Sequence, residues 1–206
     1  MMTDLLSVLI PAYNPDKTIL RGILEKLKKQ MQEYPNVEII VVDDGSDSSL
    51  EWVLDYPSTQ LFIQRNFGEP TARNTLLDLK CGEYFTFIDA DDEIADNYLA
   101  VVFENMRDGW DWVSYDWTCD GSLEAAYQTT EPLMINCAVW AYSFRHDVNG
   151  DEWFDPRLLL GCDTDWLHRV LKPEHKHKHD HRVIYNYRWD GNNNSLCHRK
   201  LRGEIR

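Results

Sequence analysis

The chain lacks any pair of cysteines at a redox or metal-ligand spacing. Its five cysteines, at 81, 119, 137, 162 and 197, are odd in number and scattered. That argues against a disulfide framework or a zinc knuckle and for reduced thiols. There is no apolar run of about 18 residues, so no transmembrane helix is expected. Met1 to Leu6 carries neither a basic stretch nor a long apolar core. No signal peptide is therefore predicted, and cytoplasmic residence is expected. Positive charge is scarce: 21 Lys and Arg stand against 35 Asp and Glu, a net charge of −14. Such a balance argues against a nucleic-acid partner, which needs a basic surface. It also means that a diphosphate ligand would need a metal between itself and the protein. Internal repeats, low-complexity tracts and Gly/Ser linkers are missing too, so one domain over 1–206 is expected.

What is present is a globular composition, 43% apolar and 12% aromatic, enough to bury a core. The first half alternates short apolar runs with helical patterns. Leu6 to Ile10, stopped by Pro11, reads as a buried strand, followed by a helix from Asp16 to Glu33. A strand over Val37 to Val42, a short helix over Ser49 to Leu54 and a strand over Gln60 to Gln64 come next. Pro70 to Leu79 reads as a helix with proline in its first turn, Tyr84 to Ile88 as a strand and Asp96 to Met106 as a helix. This alternation predicts an α/β fold, a mainly parallel sheet with helices on both faces. Ligands of such sheets bind beyond the carboxyl ends of the strands. Three polar clusters fall there: Ala12-Tyr13-Asn14, Asp43-Asp44-Gly45-Ser46 and Asp89-Ala90-Asp91-Asp92.

The last cluster delivers carboxylates at i, i+2 and i+3 from a strand end, hard oxygen ligands suited to Mg²⁺ or Mn²⁺. An ordinary acidic turn with an Asp helix cap would account for only one of them. Asp43 and Asp44 could accept hydrogen bonds from a base or ribose, or could serve only their own turn.

These strings together resemble family 2 glycosyltransferases. Ser7-Val8-Leu9-Ile10-Pro11-Ala12-Tyr13-Asn14 resembles the family's opening strand, and Val41-Val42-Asp43-Asp44-Gly45-Ser46 its nucleotide-binding second strand. Asn66-Phe67-Gly68 with Ala72-Arg73-Asn74 resembles its N-x-G…A-R-N segment, and Tyr84 to Asp92 its D-x-D strand. The resemblance implies a GT-A fold with a smaller, mixed acceptor-side region, splitting the chain near 1–108 and 109–206. It implies a nucleotide-diphosphate sugar donor, with a UDP-sugar expected, and Mn²⁺ or Mg²⁺. Pro11, Tyr13, Asn14, Asp43 and Asp44 become donor contacts, with Asp44 on the base. Arg73 would lie near the diphosphate, and Asp89 and Ala90 near the ribose and sugar. Asp91 becomes the principal metal ligand, with Asp89 and Asp92 beside it. Thr75 stands where the family usually has Gly.

The second half is rich in Trp and Tyr, most of them expected in the core. A helix near Asp163 to Leu171 and a strand near Lys176 to Trp189 are expected. Gly161-Cys162-Asp163-Thr164-Asp165-Trp166 resembles the family's Glu-Asp pair before a short helix, with Cys162 in place of Glu. Asp163 is the expected catalytic base, able also to cap a helix starting at Thr164, with Asp165 the runner-up and a possible acceptor contact. Trp189 is a possible acceptor contact, and His198 a candidate to complete the metal shell. The acceptor is expected to be a saccharide or lipid-linked saccharide hydroxyl, attacked with inversion. A non-catalytic nucleotide-sugar or glycan-binding protein on the same fold is the alternative. A haloacid-dehalogenase-like phosphatase is disfavoured, because Glu93 stands where its motif needs Thr or Val. An EF-hand fails, with Ile94 and Ala100 at its glycine and glutamate positions. His175, His177, His179 and His181 alternate, so a strand would put them on one face, as transition-metal ligands or simply as a polar face.

Overall fold

The computed structural model describes residues 4–123, 134, 136–158, 160–189 and 203. Its elements are β1 (Leu6–Ala12), α1 (Lys17–Gln30), β2 (Val37–Asp43), β3 (Thr59–Ile63), α2 (Glu69–Leu79), β4 (Tyr84–Phe87), β5 (Glu93–Ile94), α3 (Tyr98–Arg107), β6 (Trp112–Cys119), β7 (Tyr142–Arg145), α4 (Cys162–Val170) and β8 (His177–Tyr187). A 3-10 turn over Glu51–Asp55 takes the place of the expected short helix.

All eight strands join one sheet, in the order β3-β2-β1-β4-β7-β6-β8-β5. The first four are parallel to one another. β7 then runs antiparallel to β4 and to β6, β6 and β8 are parallel, and β5 is antiparallel to β8. The expected mixed region is thus a continuation of the same sheet.

β1 and β2 are buried along almost their whole length because both faces of the sheet are covered. Neighbouring residues of β4 show how: the Thr86 hydroxyl bonds Tyr98 of α3 at 2.8 Å. On the other face the Phe87 ring packs edge-on against Trp166 of α4. Each such fully buried large apolar side chain contributes about 1.5–3 kcal/mol.

β1 does not stop at Pro11 but runs on to Ala12. The Leu9 carbonyl accepts from the Ile88 N–H at 3.0 Å, so Leu9 and, two residues on, Pro11 face the β4 side. Since β4 has ended at Phe87, the missing proline N–H leaves no ladder bond unmade. α1 begins where expected, with the Asp16 carboxylate accepting from the Thr18 N–H at 2.7 Å.

Candidate active site

Three loops converge at the carboxyl edge of the parallel strands. Asn14, at φ 46°, clasps the second loop. Its N–H donates to Ser46 Oγ at 2.8 Å, its side-chain amide to Asp47 at 3.0 Å, and it accepts from the Asp47 N–H at 2.8 Å. Asp43 is buried and accepts from the Ser46 N–H at 2.9 Å. Asp44, also buried, accepts from the Phe67 and Gly68 N–H groups at 3.0 and 2.8 Å and from the Gln64 amide at 2.7 Å. It is therefore the anchor of the 66–68 loop that leads into α2, a role its sequence context did not disclose. A Cβ on Gly45, at φ 78°, would lie 2.8 Å from the Asn66 nitrogen, so only glycine allows this approach. Tyr13 projects from the same edge, about half exposed, where its ring can stack on a planar ligand.

Thr75, where the resembling family has Gly, donates to Gln64 Oε1 at 2.8 Å, extending the Asp44 network. Asn74 reaches the other half of the chain: its amide donates to the Phe154 carbonyl at 2.9 Å and its carbonyl accepts from the Phe154 N–H at 2.8 Å.

The acidic turn after β4 separates into distinct parts. Asp92 is buried, and both its oxygens are engaged, one by the Tyr185 hydroxyl at 2.9 Å and one by the Arg188 N–H at 2.8 Å. The Tyr185 oxygen in turn accepts from the Asp89 N–H at 3.0 Å. Asp92 thus braces the turn against β8 and the residue that follows it. Asp89, Asp91 and Asp92 do not form a three-carboxylate cluster among the described residues. Asp91 is pushed up to about 6, chiefly by burial and then by the Asp89 charge. Ala90, between them, is buried. Asp89 and Asp91 are hard oxygen donors carrying like charge at close quarters, and that chemistry fits a divalent Mg²⁺- or Mn²⁺-type ion. His198 lies outside the described residues.

Arg73 binds the two halves of the site together. Its side chain is 1% exposed. One terminal nitrogen contacts Asp89 at 2.8 Å and Glu69 at 2.6 Å, and the other contacts Asp163. Asp163 also accepts from the Val139 N–H at 3.2 Å, and the Cys162 thiol lies 3.5 Å from it. Burial pushes Asp163 above the usual carboxylate range, against the pull of Arg73. Burial likewise pushes Glu69 up to about 7, with Arg73 opposing and Asp89 and Asp163 adding to the rise. Glu69 was missed as a site residue, although its i,i+4 spacing to Arg73 on a helix was a usable signal.

Asp163 is not a helix cap. Gly161 occupies that position at φ 73°, α4 begins at Cys162, and the Asp163 carboxylate turns inward to Arg73. The runner-up, Asp165, points elsewhere, pairing with Arg169 at 2.7 Å one turn along. Trp189 is 36% exposed, its N–H donating to Asp120 at 2.9 Å, with its ring beside Tyr187. Trp112, Trp117, Trp140 and Trp166 are core residues as expected, and Trp140 stacks on Tyr185 at 4.4 Å.

A family model described as Glycosyl transferase family 2 matches residues 7–156. The chain is 38% identical over 112 residues to an uncharacterized glycosyltransferase of Haemophilus influenzae, covering 52% of this chain and 44% of that protein. It is 35% identical over 106 residues to the UDP-Glc:alpha-D-GlcNAc-diphosphoundecaprenol beta-1,3-glucosyltransferase WfgD of Escherichia coli, covering 50% of this chain and 41% of that protein. The chain spans less than half the length of these relatives. In fold it resembles the crystal structure of S. aureus TarS 1-349 in complex with UDP, with a TM-score of 0.78 at 20% identity, covering 91% of this chain and 61% of that one. No helix among the described residues is long and apolar enough to cross a membrane.

Proposed function

Because the chain belongs to glycosyl transferase family 2, we propose that it moves a sugar from a nucleotide-diphosphate donor, a UDP-sugar, to a hydroxyl of a saccharide or lipid-linked saccharide, with inversion at the anomeric carbon. The observation that carries this reading is the Arg73 bridge between Asp89 at the end of β4 and Asp163 at the start of α4. It holds the two carboxylates that this reading assigns to the donor sugar and to the base on the two terminal nitrogens of one guanidinium. The UDP donor is taken from the name of the WfgD relative and from the UDP complex of TarS.

In this reading Tyr13 stacks on the base, and the loop anchored by Asp43, Asp44 and Asn14 holds the nucleoside. Asp91 and Asp89 would hold Mn²⁺ or Mg²⁺, which when bound would supply positive charge to offset that of the diphosphate. Asp163 takes the acceptor hydroxyl proton as that oxygen bonds the anomeric carbon and the bond from that carbon to the diphosphate oxygen breaks. The nucleoside diphosphate leaves with the electron pair. A base near neutrality suits this task, and the burial that raises Asp163 moves it that way.

A panel of nucleotide sugars, each assayed for donor turnover with and without Mn²⁺ in wild type and Asp91→Ala, tests the proposal. One donor should turn over, Mn²⁺ should stimulate it, and Asp91→Ala should lose it. Saturable binding of a nucleotide sugar with no transfer or hydrolysis by the wild type would instead make the chain a binding protein. Full activity in Asp91→Ala would overturn the metal assignment.

A further inference from the structure

The first half of β8 takes no part in the site just described, yet three of its side chains are histidines. His177 stacks on the Trp112 ring at 4.4 Å and is spent there. His179 and His181 both meet Asp116 of β6. His179 Nε2 lies 2.9 Å from one Asp116 carboxylate oxygen and His181 Nδ1 lies 3.4 Å from the other. Among the described residues this is the one group of three or more His, Cys, Asp or Glu side chains whose ligand atoms all fall within 4.8 Å of one another.

The sheet is irregular at this point. β6 and β8 pair in step from Trp112↔His177 to Tyr115↔Asp180, and then Asp116 pairs with Val183. His181 and Arg182 are therefore extra residues on β8, and the register shifts again before Trp117↔Tyr185. Bulges of this kind re-aim side chains. Here the His181 ring stands edge-on to the His179 ring, with centroids 4.6 Å apart and planes at 88°. Asp180, between the two histidines, turns to the opposite face, where it accepts from Asn105 of α3 at 2.9 Å. The two imidazoles and Asp116 thus share the face turned away from α3.

We propose that Asp116, His179 and His181 form a binding site for a divalent transition-metal ion of the zinc class. Bonds of about 2.0–2.2 Å to a tetrahedral ion place its ligand atoms roughly 3.3–3.6 Å from each other. Asp116 already offers one oxygen to each imidazole, at 2.9 and 3.4 Å, and one ligand atom from each of the three residues lies within 4.8 Å of the others. The outer contacts are those a metal-binding imidazole needs. Ser114 Oγ lies 2.8 Å from His179 Nδ1, fixing the ring so that Nε2 faces the shared space. His179 and Asp116 are largely buried while His181 is 83% exposed, which leaves an entry path and room for water as the fourth ligand. The donor set selects the ion: two imidazoles favour zinc, cobalt, nickel or copper over magnesium and manganese, the reverse of the all-oxygen turn at Asp89 and Asp91. The ion would clip β8 to β6 at its bulge, a few residues upstream of Tyr185, which braces the acidic turn. The site stands whether or not the transferase reading is correct.

The test uses the full chain, stripped with chelator and titrated with Zn²⁺ by calorimetry, with thermal denaturation alongside. Wild type should bind one zinc at this site and gain stability on loading, since a ligand bound only by the folded state raises it by mass action. His181→Ala, at an exposed position that should fold normally without metal, should lose both the binding and the zinc-induced rise. Ser114→Ala should weaken binding about 10–100-fold. Asp91→Ala should leave zinc binding at this site in place, and Mg²⁺ should not compete for it. The proposal is overturned if wild type binds no zinc. It is equally overturned if His181→Ala binds zinc as wild type does, or if Asp91→Ala is the variant that loses it.

Discussion

The parallel half of the sheet, β3-β2-β1-β4, and the mixed half, β7-β6-β8-β5, reach the same edge and contribute to it differently. The parallel half brings side chains whose partners lie 3 to 33 residues away. Asn14 holds Ser46 and Asp47, Asp43 holds Ser46, and Asp44 holds the turn before α2. The mixed half brings single residues held across long stretches of chain. Asp163 meets Arg73 across 90 residues, and Tyr185 meets Asp92 across 93. In the first half, then, position follows from the strand end itself. In the second it follows from how two distant segments dock. Loss of a mixed-half residue should therefore hurt the chemistry or the docking, while the nucleotide loop stays formed.

The largest expected effect tests that division. Asp163→Asn keeps the shape at the start of α4 but removes the base. Transfer should fall by about 10²–10⁴-fold, while UDP binding, measured by calorimetry, stays within a few-fold of wild type. If donor binding falls in parallel with turnover, the two halves are not separable and Asp163 acts through Arg73 on the donor side.

A smaller effect is expected at the brace. Tyr185→Phe removes the hydrogen bond from the Asp89 N–H and leaves one oxygen of the buried Asp92 without its hydroxyl partner. Leaving such buried groups unpaired costs about 1–3 kcal/mol. For a chain of this size that is a melting-temperature loss of roughly 2–4 °C per kcal/mol. Asp91→Asn, on the same turn, should cost little stability, because it removes a carboxylate crowded by Asp89 and braced by no other element among the described residues. Equal losses in the two variants would erase the distinction drawn between Asp91 and Asp92.

The same contrast governs which features could be read in advance. β1, β2 and β4 were legible because a short, mainly apolar run ending in Asp or Asn suits the centre of a parallel sheet. Pro11 misled because a proline ends a strand only where its N–H is needed, and the shortness of β4 removes that need. The Asp89 to Asp92 turn was legible as an acidic turn at a strand end but not in how its side chains divide. Nothing local distinguishes Asp91 from Asp92, and only the arrival of Tyr185 and the Arg188 N–H does so. Asp163 lies at the start of the expected helix, yet its cap role was wrong, because Gly161 takes the left-handed cap and the carboxylate turns inward to Arg73. The Asp116, His179 and His181 group depended on a bulge, and a bulge leaves no mark in an alternating string.

A pH-dependent effect is expected at Glu69, where the two halves share charge. Its carboxyl is raised from about 4.5 to about 7, first by burial, with Arg73 opposing and Asp89 and Asp163 reinforcing the rise. A carboxyl whose folded value lies above its unfolded one favours the folded state while it keeps its proton. That contribution is complete below about 4.5 and is lost as the pH rises through about 7. Wild-type unfolding free energy should therefore decline across this window, with Asp91, raised to about 6, adding to the lower part of it. Glu69→Gln cannot titrate, so it should lack the upper part of the decline. Urea denaturation of both proteins at pH 5 and pH 8 reads this directly: the stability of the variant relative to wild type should rise between the two. A difference that stays constant would mean that Arg73 keeps Glu69 ionised throughout. The guanidinium would then carry all three carboxylates as ions, and the cation needed to balance them would have to come from the ligand side.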